Sequence, residues 1–230
     1  MPNTQSNAAV VLLSGGLDSS VLLFHVLRDL RRSPVYALSF EYGQRHSKEL
    51  DCAKWQADAA EVEQHRIVDL SFLGGLVRST SALVRGGQAV PDLKDLSAAD
   101  LEQPPTYVPN RNMILLSVAA AYAESCGIFD VFYGAQALDE YGYWDCTTDF
   151  LERVNSVLAL NRRKPVNIHA PFIRRKKVDS VRLGAALGVN FSYTWSCYRG
   201  SDNACGTCPT CVERMNAFRE AGLKDPIAYD

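Results

Sequence analysis

The stretch Ser14-Gly15-Gly16-Leu17-Asp18-Ser19-Ser20 constrains this chain more than any other, because an apolar run at residues 8–13 leads into it and a second at 21–27 follows. Extended apolar residues, a glycine pair and a further apolar run describe a buried strand, a tight turn and a helix. The glycines let the backbone turn sharply and approach a ligand closely, and the amides that open the helix direct partial positive charge at an anion. The expected occupant is a phosphate cradled by Leu13 to Ser20. A loop of Walker type would carry Lys before its last Ser or Thr. This one has Leu17, Asp18 and Ser19 there, so it holds phosphate in another way. The plain structural alternative is a glycine turn with no ligand.

Downstream, apolar extended runs alternate with helical patterns. Strands are expected at residues 34–40, 66–70, 129–135 and 166–169, and helices at 46–64, 110–126, 150–160, 174–187 and 209–221. Such alternation predicts an α/β fold: a Rossmann-like parallel sheet with helices on both faces and ligands collecting beyond the carboxyl ends of the strands. At 230 residues the chain fits one such domain, residues 1–190, with a small C-terminal zinc-binding subdomain, residues 191–230, packed on it. Residues 74–105, with two glycine pairs and Pro104-Pro105, show little periodicity and read as a mobile loop, either a binding lid or a plain surface insertion. A net charge of −2 gives no bias toward nucleic acid. No apolar run approaches the roughly 18–20 residues that a membrane span needs, and a cytoplasmic protein is expected.

Seven cysteines, an odd number, argue against a secreted disulfide framework. Four of them, Cys197, Cys205, Cys208 and Cys211, crowd together, and the overlapping C-x-x-C steps in Cys205-Gly-Thr-Cys208-Pro-Thr-Cys211 can aim several thiolates at one centre. A closed tetrahedral sulfur site suits structural Zn²⁺; disulfides, an iron–sulfur cluster and unpaired thiols are the competing readings.

Three further segments follow expected strands. FEYGQRH (residues 40–46) leads into the helix carrying Glu49, where His46 and Glu49 share a helical face as a local pair or as an acid–base couple. TYVPNRN (residues 106–112) opens the next helix, with Arg111 offering a planar fork suited to a carboxylate or phosphate. In GAQALDEYGYWDCTTDF (residues 134–150), Asp139, Asp145 and Cys146 supply polar chemistry, and Tyr141, Tyr143 and Trp144 either stack on a flat heterocycle or form a satellite core.

The SGGxDS loop resembles the PP-loop of the N-type ATP pyrophosphatases. Taken with FEYGQRH, TYVPNRN, GAQALDEYGY, the lysine of APFIRRKK and SCYRG followed by CGTCPTC, the order of motifs over residues 10–222 resembles the 7-cyano-7-deazaguanine synthase family of PP-loop ligases. The resemblance implies conversion of 7-carboxy-7-deazaguanine, ammonia and ATP into the nitrile, with structural zinc and a homodimer. It assigns Ser14, Gly15, Gly16, Asp18, Ser19 and Ser20 to the pyrophosphate loop and places Tyr42, Gln44, Arg45, His46, Tyr107, Arg111 and Asn112 at the substrate. Lys177 becomes the active-site lysine, and Cys197, Cys205, Cys208 and Cys211 the zinc ligands. Where family members commonly read Tyr-Pro-Asp-Cys-Arg, this chain reads Tyr143-Trp144-Asp145-Cys146-Thr147, so the missing charge would come from Arg111, Arg174 or Arg175.

The implied chemistry uses Asp18 to help hold Mg²⁺, Lys177 and Arg111 to stabilise developing negative charge, and Asp139 or Asp145 to bond the guanine-like edge. Other readings stay open: a variant ligase that stops at the amide or joins the deazaguanine to another amine, a tRNA thiolase using Cys146, and a non-catalytic zinc-stabilised binding protein.

Overall fold

A computed structural model describes residues 7–45, 47–136, 143–199 and 202–230. The chain runs through β1 (Ala9–Leu12), α1 (Leu17–Phe24), β2 (Val35–Glu41), α2 (Lys48–Ala59), β3 (Gln64–Asp69), α3 (Ser71–Val77), α4 (Ala98–Glu102) and α5 (Arg111–Ser125). It continues with β4 (Asp130–Phe132), α6 (Thr148–Leu158), β5 (Asn167–His169), α7 (Lys177–Ala186) and α8 (Pro209–Glu220). The five strands pair in parallel in the order β3-β2-β1-β4-β5.

Strand alternation sorts the apolar residues onto two faces. Val10, Leu38, Phe40 and Val131 join one buried cluster with Leu116 of α5 and Phe150 of α6. Val11, Ala37 and Phe132 join the other with Leu22 of α1, Val181 of α7 and Phe218 of α8. Ala9, Val10 and Val11 are wholly buried, as befits a central parallel strand covered on both sides.

The expected helix over residues 46–64 ends at Ala59, because Glu61 takes a left-handed turn (φ 51°) and Gln64 already begins β3. The larger departure lies in residues 74–105. This stretch finishes α3 and forms α4, whose Ser97 cap accepts from the Asp100 amide at 3.3 Å while Asp100 accepts from the Ser97 amide at 2.9 Å. Ala82 and Val84 are fully buried, Ala82 N–H bonds to the Pro105 carbonyl at 2.7 Å, and Val84 bridges to Gln44. The excursion is therefore pinned by its backbone and is not the structureless loop its weak periodicity suggests. Among the described residues no helix is long and apolar enough to cross a membrane.

Strand order reverses at β1, with β2 and β3 laid to one side and β4 and β5 to the other, which opens a crevice at the carboxyl end of β1.

Candidate active site

The β1–α1 turn lies at that crevice. Gly15 adopts φ 83°, and a β-carbon there would fall 1.9 Å from the Glu49 carbonyl oxygen and 2.7 Å from the Ala53 amide, so the backbone of α2 rests directly on the turn. Only glycine satisfies both demands. Ser19 ties the loop together: its Oγ accepts from the Ser14 amide at 3.2 Å, donates to the Gly16 carbonyl at 3.2 Å and sits 3.0 Å from Ser14 Oγ. Gly16, at the N-cap of α1, supplies no side-chain cap, so the first-turn amides keep their capacity for an anion. Leu13, Leu17 and Ser20 are buried and set the loop on the core.

A cleft of about 310 Å³ extends from this loop, lined by Asp18, Tyr42, Glu49, Arg111, Asn112, Tyr133, Tyr143, Cys146 and Lys177 on one side and by Trp195, Ser196, Tyr198 and Glu213 on the other. Lys177 Nζ lies 2.8 Å from Asp18 Oδ2 and 3.2 Å from Glu213 Oε2. Asp18 Oδ1 is buried beside the β1–α1 turn and accepts no hydrogen bond among the described residues. Arg111 donates to Tyr42 Oη at 3.3 Å. Burial works against its charge, yet Tyr42, Asp145 and Tyr198 around it push its pKa up on balance. Glu49 responds in the opposite sense: burial outweighs the pull of Arg111 and raises its carboxyl to about 7.

Several residues expected at the substrate are engaged elsewhere. Asp145 is buried and accepts from the Asn112 amide at 3.3 Å at the start of α5, and Asn112 Nδ2 returns a bond to the Asp145 carbonyl at 3.2 Å; Asp145 does not line the cleft. Burial raises its pKa despite Arg111. Tyr107 is likewise absent from the lining, because its hydroxyl accepts from the Asn110 amide at 3.1 Å and from Trp144 Nε1 at 2.8 Å. Gln44 and Arg45 reach the cleft wall but are held by backbone. The Gln44 amide group joins the Tyr42 N–H at 2.8 Å to the Phe40 carbonyl at 3.1 Å, and Arg45 donates to the carbonyls of Ala82, Gly87 and Gln88. Of the aromatic residues, Tyr143 lines the cleft and Trp144 packs edge-on against Phe150. Arg174 and Arg175 lie outside the lining, whereas Arg111 is part of it, with Arg45 and Arg214. His46, Asp139 and Tyr141 lie outside the described residues.

Sequence reasoning passed over Glu49 as a site residue in its own right and missed Trp195, Ser196, Tyr198 and Glu213, although Tyr198 falls within SCYRG. They flank the four clustered cysteines, which is the signal that could have found them.

The sulfur atoms of Cys197, Cys205, Cys208 and Cys211 lie within 4.8 Å of one another. Cys205 and Cys211 sulfurs are 4.0 Å apart, far beyond a disulfide bond and close to the spacing of about 3.8 Å that tetrahedral Zn–S bonds impose. Amides of Cys205 and Cys208 point at the sulfurs of Cys197 and Cys205, each at 3.4 Å. The donor set suits zinc, and with four protein ligands it leaves no position for water. Trp195 N–H donates to the Gly15 carbonyl at 2.9 Å, so this knuckle and the phosphate loop touch.

A doubly covered parallel sheet with a backbone phosphate loop at its switch point defines a PP-loop nucleotide-binding domain. Residues 8–222 match the family described as "Queuosine biosynthesis protein QueC", and the chain belongs to that family. It is 46% identical over 222 residues to the 7-cyano-7-deazaguanine synthase of Caldicellulosiruptor bescii, covering 96% of this chain and 97% of the relative. It is also 45% identical to the 7-cyano-7-deazaguanine synthase of Archaeoglobus fulgidus, covering 96% and 90%. Among solved structures, NMN synthetase from Francisella tularensis shares the fold, with a TM-score of 0.51 at 14% identity over 95% of this chain and 78% of that one.

Proposed function

We propose that the chain is an ATP-dependent ligase that converts 7-carboxy-7-deazaguanine and ammonia to 7-cyano-7-deazaguanine through two adenylated intermediates. Family membership supports this reading, and one arrangement carries its chemistry: an uncapped helix start, the Asp18–Lys177 pair and Arg111 converge on a single cleft.

A carboxylate is a poor electrophile because oxide would have to leave. Attack of its oxygen on the α-phosphate of ATP replaces that leaving group with AMP. In this step the amides of the Ser14–Ser20 loop hold the departing pyrophosphate, and Lys177 and Arg111 offset the charge that develops on the transferring phosphoryl oxygens. Ammonia displaces AMP to give the amide. A second adenylation, on the amide oxygen, makes the group whose loss leaves the nitrile. The partnerless buried Asp18 Oδ1 fits a divalent cation, and Mg²⁺ bound there would supply charge neutralisation to the polyphosphate.

Tyr42 and Tyr143, with Asn112, offer the flat and polar surfaces a deazaguanine needs. Residues 191–230 act in this reading as a zinc-stabilised subdomain that completes the cleft. The substrate is a free small molecule and not a nucleic acid, and the working form is a cytoplasmic homodimer.

Product analysis tests the proposal. Purified protein given 7-carboxy-7-deazaguanine, ammonium and Mg·ATP is expected to release two AMP and two pyrophosphate per nitrile, with no ADP, and to accept the amide as a substrate at the cost of one ATP. ADP as the nucleotide product would overturn the ligase, and amide that never converts would favour the amide-forming variant.

A further inference from the structure

Phosphate binding and charge neutralisation by Asp18, Lys177 and Arg111 leave Glu49 unexplained, although its side chain lines the same cleft. Its place is fixed by the loop: α2 packs so closely on Gly15 that no β-carbon fits between that residue and the Glu49 carbonyl. Residue 49 therefore stands beside the phosphate loop, at the end of the cleft where an adenylate forms. Among the described residues its carboxyl makes no hydrogen bond or ion pair. Among the described residues the titratable groups that face it are Arg111 of α5, Tyr42 after β2, Tyr198 of the cysteine knuckle and Cys52 on its own helix.

Among the described residues the other carboxylates in reach are committed. Asp18 and Glu213 both hold Lys177, and Asp145 holds the start of α5. The ligase chemistry nonetheless has to strip protons from nitrogen twice. We infer that Glu49 is the proton acceptor for nitrogen in both halves of the reaction, an inference that rests on the ligase reading above.

In the first half an ammonium ion gives one proton to the Glu49 carboxylate, and the freed lone pair forms the C–N bond at the adenylate carbonyl. The C–O bond to AMP then breaks, and the excess proton on nitrogen passes to solvent after Glu49 has released its own. In the second half the nitrogen of the O-adenylated amide carries two protons: one passes to solvent as the neutral imidate forms, and Glu49 takes the other as the C–O bond to AMP breaks and the electron pair completes the C≡N bond. No oxidant or reductant is needed. An acceptor that titrates near neutrality is suited to both transfers, and burial places Glu49 there.

The test separates adenylation from nitrogen transfer in Glu49→Gln and Glu49→Asp. Substrate-dependent ATP–pyrophosphate exchange, which needs no ammonia, is expected to continue in Glu49→Gln, while its rate of amide formation falls by roughly 10²–10⁴-fold. The wild type should show a rise in ammonia-dependent turnover as pH passes through about 7, and Glu49→Gln should lose that inflection. Glu49→Asp, which keeps a carboxylate, should keep the inflection at reduced rate. Loss of exchange in Glu49→Gln together with amide formation would overturn the inference, as would an unchanged pH profile or a raised KM for the deazaguanine alone. A wild type that forms neither amide nor nitrile would bring down the ligase reading and this inference with it, an outcome distinct from an active wild type with an indifferent Glu49.

Discussion

On one side of the cleft the phosphate loop takes its shape from covalent geometry and packing, with a positive φ at Gly15, a hydrogen-bonded Ser14–Ser19 pair and α2 pressed against it. On the other side, the described residues between Trp195 and Cys208 contain no helix or strand, and the buried cluster there consists largely of Cys197, Ala204, Cys208 and Cys211 packed with Trp195. A wall made of chain geometry stands without its ligand, whereas four thiols converging within 4.8 Å of one another form a site that a bound metal would hold together. Two regions that meet at one cleft thus differ in what they ask of a ligand, and substitutions should separate the two.

The largest effect belongs to the cysteine wall. The protein should carry about one zinc per chain, and structural zinc contributes on the order of 10–16 kcal/mol of apparent folding energy in small finger peptides. Cys208→Ser is expected to lose the metal and lower the melting temperature sharply. Because Trp195, Ser196, Tyr198 and Glu213 form the second wall, ATP turnover should fall with it. Metal analysis alongside calorimetry checks this. Metal-free protein with an unchanged melting temperature would erase the distinction between the walls.

How much of each wall could be read in advance follows from the range of the signal. The parallel sheet, the turn at Gly15 and the clustered cysteines are local patterns, and each stands where the spacing puts it. Gln44 and Tyr107 spend their polar groups on backbone amides two and three residues away, while Arg45 and Asp145 are taken up by backbone groups that folding brings in from more than 30 residues away. Sequence spacing contains no record of the distant partners. Residues 74–105 misled for the same reason: Ala82 and Val84 have no periodic neighbours, and their burial depends on contacts with Gln44 and Pro105.

Within the phosphate loop itself the two glycines should divide stability from chemistry. Gly15→Ala must adopt a left-handed backbone, costing roughly 1–2 kcal/mol, and also meet unyielding backbone of α2. Gly16 has φ −74°, and its nearest neighbours to an added β-carbon are Ser14 Oγ at 3.3 Å and the Trp195 carbonyl at 3.6 Å. Gly15→Ala should therefore melt several degrees lower, and Gly16→Val should stay folded yet lose ATP–pyrophosphate exchange because its side chain fills phosphate space. Calorimetry and exchange assays on the pair decide it; a Gly16→Val protein with normal exchange would make the loop merely structural.

A smaller effect should appear in the pH dependence of stability. The folded state holds the Glu49 proton more tightly than the unfolded chain does, so the carboxyl destabilises the fold progressively as pH rises from about 4.5 through about 7. Glu49→Gln removes that dependence. Its melting temperature relative to the wild type should climb across this window and level off above it. A difference that is flat with pH would mean that Glu49 is solvated like an ordinary surface carboxylate.

The smallest expected effect tests Thr147, where the resemblance led to the expectation of a basic residue. Thr147 caps α6, its Oγ1 accepting from the Phe150 amide at 3.2 Å and donating to the Trp144 carbonyl at 2.9 Å, and it does not line the cleft. The side chain thus serves the helix, and Arg111 lies in the cleft lining where Thr147 does not. Thr147→Ala should cost about 1 kcal/mol, or about 2–4 °C in a domain of this size. Thr147→Ser should cost less because it keeps the acceptor. Thr147→Arg, which introduces a positive charge there, should lose the cap as alanine does and leave the KM for the carboxylate substrate unchanged. Thermal melts and steady-state kinetics on the three variants are sufficient. If arginine lowered that KM, position 147 would reach the substrate and a third contributor would join the two walls.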